Sequence, residues 1–347
     1  MNRLATWIGN WAGDILAGWN QFWFSQTQPN TLALIRILAG TMLLYTHAVW
    51  SLDLMAFLGP DGWLPNELAR DLHGENVAWS YLWYFESPAV LWTLHVVALT
   101  IFVMLTVGFY TRITSVLAWL ITLAYCHRLT GAFFGLDQVN AMLAMYVMLG
   151  PSGAVYSVDR WLSKRRAGQG NRIDHTEVAS CVSTNVAIRL IQLHMCVIYM
   201  FGGISKMRGE LWWDGSAVWY AVANLEYQSL DMTWLVRSPF LIALLSHVTV
   251  LWELFFCALV WPKRTRPIVL CVAVGMHGGI GLFLGMWTFG LAMLIANLAF
   301  ISPVATRGLL TGVSGWLTAM TGGGAGGATE NSPTRRKKRQ RSRNHAV

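Results

Sequence analysis

Charge is scarce in this chain. Asp, Glu, Lys and Arg make up 12% of its 347 residues, against 55% hydrophobic ones, about half the charged share of an ordinary soluble domain. With a mean hydropathy of +0.45, that balance excludes a soluble globular protein of this size. Cysteine is scarce as well. Cys126, Cys181, Cys196, Cys257 and Cys271 include no close pair, which excludes a cysteine-based metal or redox motif and leaves them as small apolar fillers. The N-terminal stretch lacks the short apolar core and small-residue cleavage site of a cleavable signal peptide. No internal repeat or soluble second domain can be read, and no metal is expected.

Long apolar runs take the place of charge. Segments of roughly 17 to 22 residues, the length needed to cross a hydrocarbon core, lie at about 31–50, 89–108, 113–130, 184–203, 240–261, 267–284 and 286–302, with a shorter one at 138–150. The stretch 268–301 is too long for one span and holds Gly275, Gly278, Gly279, Gly281 and Gly285, so it reads as two helices joined by a tight turn. The pattern predicts an all-α, polytopic transmembrane helix bundle of about eight spans over residues 27–305. Ahead of it, residues 1–26 carry Trp7, Trp11, Trp19, Phe22, Trp23 and Phe24, the aromatics of an interfacial helix.

Basic residues in short loops set orientation. They cluster at Lys164-Arg165-Arg166, at Lys263-Arg264-Thr265-Arg266 and in the tail Arg335-Arg336-Lys337-Lys338-Arg339, all on one side if there are eight crossings. The loop 51–88 is acidic, with Asp53, Asp61, Glu67, Asp71, Glu75 and Glu86 against Arg70. This topology places both termini in the cytoplasm, as in a protein of a bacterial inner membrane, and Lys206 on the external face. Residues 306–347 form an amphipathic and glycine-rich linker, including Thr321–Gly327, and a basic tail that holds seven Lys or Arg over 335–343. Without those seven the net charge of +8 nearly vanishes. Beside a membrane such a tail is expected to touch anionic lipid rather than nucleic acid.

Within the apolar segments, polar residues carry the functional information, because ionisable groups there are costly and turn toward a bundle interior or cavity. They are Arg36, His47, His95, His127, Arg189, His194, His247, Glu253 and His277. A carboxylate at the depth of Glu253 needs a cationic partner, and Arg36 or Arg189 can supply it. A histidine at such a depth either bridges neighbouring helices or ligates a haem, for which His95, His194 and His277 are the candidates. Gln192 and Tyr199 are seven residues apart and Gln192 and Lys206 fourteen, so these three lie near one helix face. Lys206 ends the apolar run, and Trp212-Trp213-Asp214-Gly215 follow. A lysine where a helix leaves lipid is a candidate general base, or a counter-charge for an anionic ligand, because a strongly hydrated ammonium is costly to hold there.

Three separated motifs then agree in order. Asp61-Gly62-Trp63-Leu64-Pro65 lies in the first external loop. Gly150-Pro151-Ser152-Gly153 and Tyr156-Ser157-Val158-Asp159 follow the fourth span, and Gly203-Ile204-Ser205-Lys206 through Asp214-Gly215 the fifth. Over about residues 27–305 this resembles the HTTM domain, the membrane portion related to vitamin K-dependent gamma-carboxylases. The resemblance implies that Lys206 is a base toward a reduced naphthoquinone of the vitamin K type, in an enzyme that uses oxygen to drive carboxylation of a glutamate. The polar stripe leading to Lys206 makes Arg189, Gln192, His194 and Tyr199 candidate lining residues of such a pocket, and Trp212 and Trp213 are either interfacial anchors or a stacking cage for the quinone ring. Where the carboxylases carry an Asn-Asn-His-Ser-Tyr run, this chain reads Phe134-Gly135-Leu136-Asp137-Gln138-Val139-Asn140, so Asp137 and Gln138 are the polar groups at that position. The alternative is a non-enzymatic membrane protein that binds lipid or quinone, or helps a redox or transport complex assemble. A transporter finds no support, since no inverted repeat is visible.

Overall fold

The computed structural model describes residues 2–74, 77–168 and 178–320. Glu75, the segment Thr321–Gly327 and the basic tail lie outside the described residues. The chain separates into two units, Met1–Thr306 and Arg307–Val347.

The main helices are α1 (Asn2–Phe24), α2 (Asn30–Trp50), α3 (Pro88–Val107), α4 (Thr111–Arg128), α5 (Gly135–Leu149), α6 (Val158–Ala167), α7 (Val182–Met207), α8 (Pro239–Leu259), α9 (Arg266–Leu284), α10 (Trp287–Asn297) and α11 (Pro303–Met320). Short helical pieces fill the connections, and an isolated antiparallel bridge joins Thr27 to Cys181. All eight apolar segments therefore fold as helices. The stretch Asn30–Leu58, which holds α2, and the helices α3, α7, α8 and α9 are long and apolar enough to cross a membrane, and the chain is a helical membrane protein. The other three segments differ for local reasons. α4 carries Thr111, Arg112, Thr114, Ser115, His127 and Arg128, while α5 and α10 have 15 and 11 residues. The α9–α10 break falls at Gly285, whose φ of 70° suits a residue without Cβ.

The interior of the first unit is built on α2, α5 and α7, with α3, α4, α8, α9 and α10 packed around them. Pairs adjacent in sequence pack along one another, as α9 with α10 and α4 with α5 do. Polar residues lock the joints. Arg36 is fully buried, and its guanidinium donates to the carbonyls of Leu105 (2.6 Å), Thr106 (3.1 Å), Ser152 (3.1 Å) and Tyr156 (2.6 Å). It ties α2 to the end of α3 and to the turn before α6. Asp159 caps the start of α4, accepting from the Tyr110 and Thr111 backbone nitrogens and the Thr111 hydroxyl. Ser157 Oγ accepts from Arg160 N and caps α6. The Gly-Pro-Ser-Gly and Tyr-Ser-Val-Asp motifs thus build a joint between helices.

α1 is one continuous helix with Trp7, Trp11, Trp19 and Phe24 exposed. Its C-terminal end is fastened to α7, where Asn185 Nδ2 donates to the carbonyls of Phe22 and Trp23. The acidic connection 51–86 folds over the end of α4: Ser80 Oγ donates to the Ala124 carbonyl, and His73 Nε2 lies 2.8 Å from the His127 carbonyl.

Candidate functional site

Lys206 occupies the last turn of α7, where a cation is favoured by the helix dipole. Its Nζ donates to both carboxylate oxygens of Glu253, at 2.9 and 2.7 Å. The pair is partly shielded, with side-chain exposures of 28% for Lys206 and 11% for Glu253. The close approach of α7 and α8 that allows it depends on glycine. A Cβ on Gly203 would lie 3.0 Å from the backbone nitrogen of Leu254, and one on Gly202 would lie 3.3 Å from a Glu253 oxygen. The expectation that Arg36 or Arg189 neutralises Glu253 is therefore corrected. Arg36 is saturated by backbone carbonyls, and Arg189 lies at the opposite end of α7.

The pair borders a cavity of about 530 Å³ between α7, α8, α9 and the segment after α7. Ile198, Val218, Leu245, Met276, Ile280 and Phe283 make its walls apolar. Trp212 lies over the lysine, with Nζ 5.5 Å from the ring centroid. The Asp214-Gly215 turn holds this segment in place. Asp214 Oδ1 accepts from the Ser216 hydroxyl (2.6 Å) and backbone nitrogen (2.8 Å), and these bonds hold its carboxyl below the ordinary range. Gly215 has φ 82°, and its carbonyl accepts from Ser246 of α8.

A second polar group lies deeper along the cavity. Asn297 Nδ2 donates to the Met293 carbonyl (2.9 Å) and to the Tyr199 hydroxyl (2.7 Å). Turning the amide over would set its oxygen against the Met293 carbonyl, so the amide orientation is fixed. Tyr199 accepts from Asn297 and must spend its own proton on His277 Nε2, 2.8 Å away. With that assignment Nε2 accepts and Nδ1 carries the ring hydrogen. His277 Nδ1 has no partner, and His277 is a lining residue of the cavity. The site thus has a charged pair at one end and, at the other, a donor in want of an acceptor.

Of the residues singled out from the sequence, Lys206, Tyr199, Trp212, Glu253 and His277 line this cavity. Trp213 is not among the lining residues; it is exposed, and its indole N–H donates to the Met207 carbonyl. Arg189 and Gln192 do not reach it. Gln192 donates to the Ala299 carbonyl and accepts from Arg189, which also bonds the Phe22 carbonyl. His194 lies 3.0 Å from the Tyr146 hydroxyl. Asp137 caps its own helix by accepting from Phe134 N, and Gln138 is exposed. The three candidate haem histidines face tyrosines rather than one another: His95 with Tyr125, His194 with Tyr146, His277 with Tyr199. Asn297 escaped the sequence reading, although an asparagine within the apolar run 287–300 is a visible signal.

Two Bacillus subtilis (strain 168) proteins share part of the chain. An uncharacterized protein, YitO, is 23% identical over 214 residues, which cover 60% of this chain and 66% of YitO. The sporulation-delaying protein SdpB is 26% identical over 121 residues, or 33% of this chain and 37% of SdpB. The chain thus spans just under two thirds of the length of one relative and little over a third of the other. No family model matches the chain, and no solved structure does.

Proposed function

We propose that the chain is an eight-span, HTTM-type protein whose cavity holds a lipid-soluble quinol, with Lys206 and Glu253 handling the proton of one ring hydroxyl. The observation that carries this reading is the Lys206–Glu253 pair at the edge of an apolar, aromatic cavity. A volume of about 530 Å³ falls within the usual range for a small-molecule site, and its few polar groups sit where they would orient a ring bearing two oxygens.

A quinol supplies two reducing electrons and a dissociable hydroxyl. The rest is done by this chain. Lys206 Nζ, already bonded to both Glu253 oxygens, passes one proton to the carboxylate and takes the hydroxyl proton in its place. The ammonium is thereby restored beside the new negative charge, so no net charge enters the apolar site. His277 Nδ1 would be the group that holds the second ring oxygen. Trp212 and the apolar walls exclude water, which strengthens both interactions.

The test is extraction of the purified full-length protein, followed by identification of bound quinone and measurement of quinol-dependent oxygen uptake. Quinone is expected in the wild type and lost in Lys206→Ala, with uptake falling in parallel. A wild type free of quinone, together with unchanged uptake in Lys206→Ala, sinks the proposal. Incorporation of labelled carbon dioxide into glutamyl peptides is expected to be absent, since Phe134–Asn140 brings no histidine to the site.

A further inference from the structure

A separate polar cleft of the first unit lies at the end of the bundle where α2, α7 and α9 begin. Arg189 and Lys206 are 17 positions apart on one helix, about 25 Å along its axis. The cleft has a volume of about 160 Å³, and its lining includes Thr31, Asn185, Arg189, Gln192, Arg266 and Ser302, with no acidic residue.

Arg189 and Arg266 line the same cleft. Each is half-buried and half-spent. Arg189 uses Nε on the Phe22 carbonyl and Nη1 on Gln192; Arg266 uses Nε on the Val260 carbonyl and Nη2 on the Trp261 carbonyl. Among the described residues no hydrogen bond is formed by Nη2 of Arg189 or Nη1 of Arg266. Backbone carbonyls orient both guanidinium groups without neutralising either, and the Arg189 guanidinium also lies over Phe22, 4.3 Å from the ring centroid, and near Trp261 at 5.8 Å. Two like charges lining one cleft, with no acidic side chain among its described lining residues, suit an anion that offers several oxygens to two planar donors, as a phosphate group does.

We infer that Arg189 and Arg266 form a binding site for the phosphate of an anionic phospholipid headgroup. A lipid is favoured over free phosphate because the cleft opens at the ends of membrane-crossing helices and beside the end of α1, whose exposed aromatics suit the same boundary. A bound headgroup there bridges α1, α7 and α9, so it would fasten the aromatic helix to the bundle.

The test uses the full chain in neutral detergent, with phosphatidylglycerol and phosphatidylcholine as probes and lipid retention read by native mass spectrometry. The wild type is expected to retain phosphatidylglycerol preferentially. Arg189→Gln combined with Arg266→Gln should weaken that binding about tenfold or more, the loss of one or two charge-assisted bonds, and leave phosphatidylcholine unaffected. Each single variant, expected to lose part of the affinity, serves if the double variant does not fold. Phosphatidylglycerol that stays bound against excess inorganic phosphate supports the headgroup assignment; displacement by phosphate overturns it in favour of a soluble anion. Equal retention in wild type and variants overturns the site altogether.

Discussion

Lys206 and Glu253, 47 positions apart, meet through two hydrogen bonds from one ammonium to both oxygens of one carboxylate. The contact joins the last turn of α7 to the middle of α8. It fixes both the charge and the position of the cavity's polar end.

Deleting either partner leaves the other charge without compensation in a poorly hydrated place. Glu253→Gln and Lys206→Ala are each expected to cost about 1–3 kcal/mol, below the range for fully buried pairs because the lysine is partly exposed. Lys206→Met combined with Glu253→Leu should cost less than the sum of the single changes. Thermal unfolding in detergent checks this, and strict additivity would contradict the coupling.

Gly203 sets the separation of α7 and α8. Gly203→Ala is expected to destabilise by about 1–3 kcal/mol, the usual cost of overpacking, and to loosen the ion pair. Gly278→Ala on α9, where a Cβ would meet nothing within 4 Å, should cost nothing. Comparing the two denaturation midpoints separates helix spacing from a general intolerance of alanine.

The Asp214 turn carries a pH dependence of definite sign. Its carboxyl is held below the ordinary range by Ser216, so its contribution is fully present above the unfolded-state value and is lost as the pH falls through the lower folded-state value. Asp214→Asn should therefore differ from wild type in melting temperature at neutral pH, with the gap closing in acid below the ordinary carboxylate range. A gap independent of pH would rule out the carboxylate as its source.

Arg36 is a structural cation. Arg36→Lys keeps the charge but cannot reach four carbonyls in three directions, and it is expected to cost about 3 kcal/mol or more. Bound-ligand content at the Lys206 cavity, measured on protein purified in the cold, should not change. Loss of ligand without loss of stability would assign Arg36 a role in the site.

The helices were legible because their lengths and apolar runs are written locally, and Gly285 marked the break between α9 and α10. Lys206 and Tyr199 were legible from their seven-residue spacing. The same reasoning placed Gln192 on that face, and there it stopped short. Fourteen residues return to the same face four turns away, about 21 Å along the axis, so a shared stripe does not mean a shared cavity. The partner of Glu253 was illegible for a different reason. Which cation reaches a carboxylate depends on helix depth and on prior claims by backbone carbonyls, and no sequence pattern showed that Leu105, Ser152 and Tyr156 had already claimed Arg36. The direction of the Asn297–Tyr199–His277 chain likewise hangs on the Met293 carbonyl, visible only once α10 is folded.

The Arg36 joint has a consequence for how the protein is made. Arg36 lies on α2, well ahead in the chain of its acceptors, which reside at positions 105, 106, 152 and 156. Until three more helices have been synthesised, α2 carries a guanidinium with no carbonyl to hold it, a costly burden in lipid. The joint at Arg36 can therefore close only once the chain as far as Tyr156 is present, which makes the first half of the bundle a unit that is completed together.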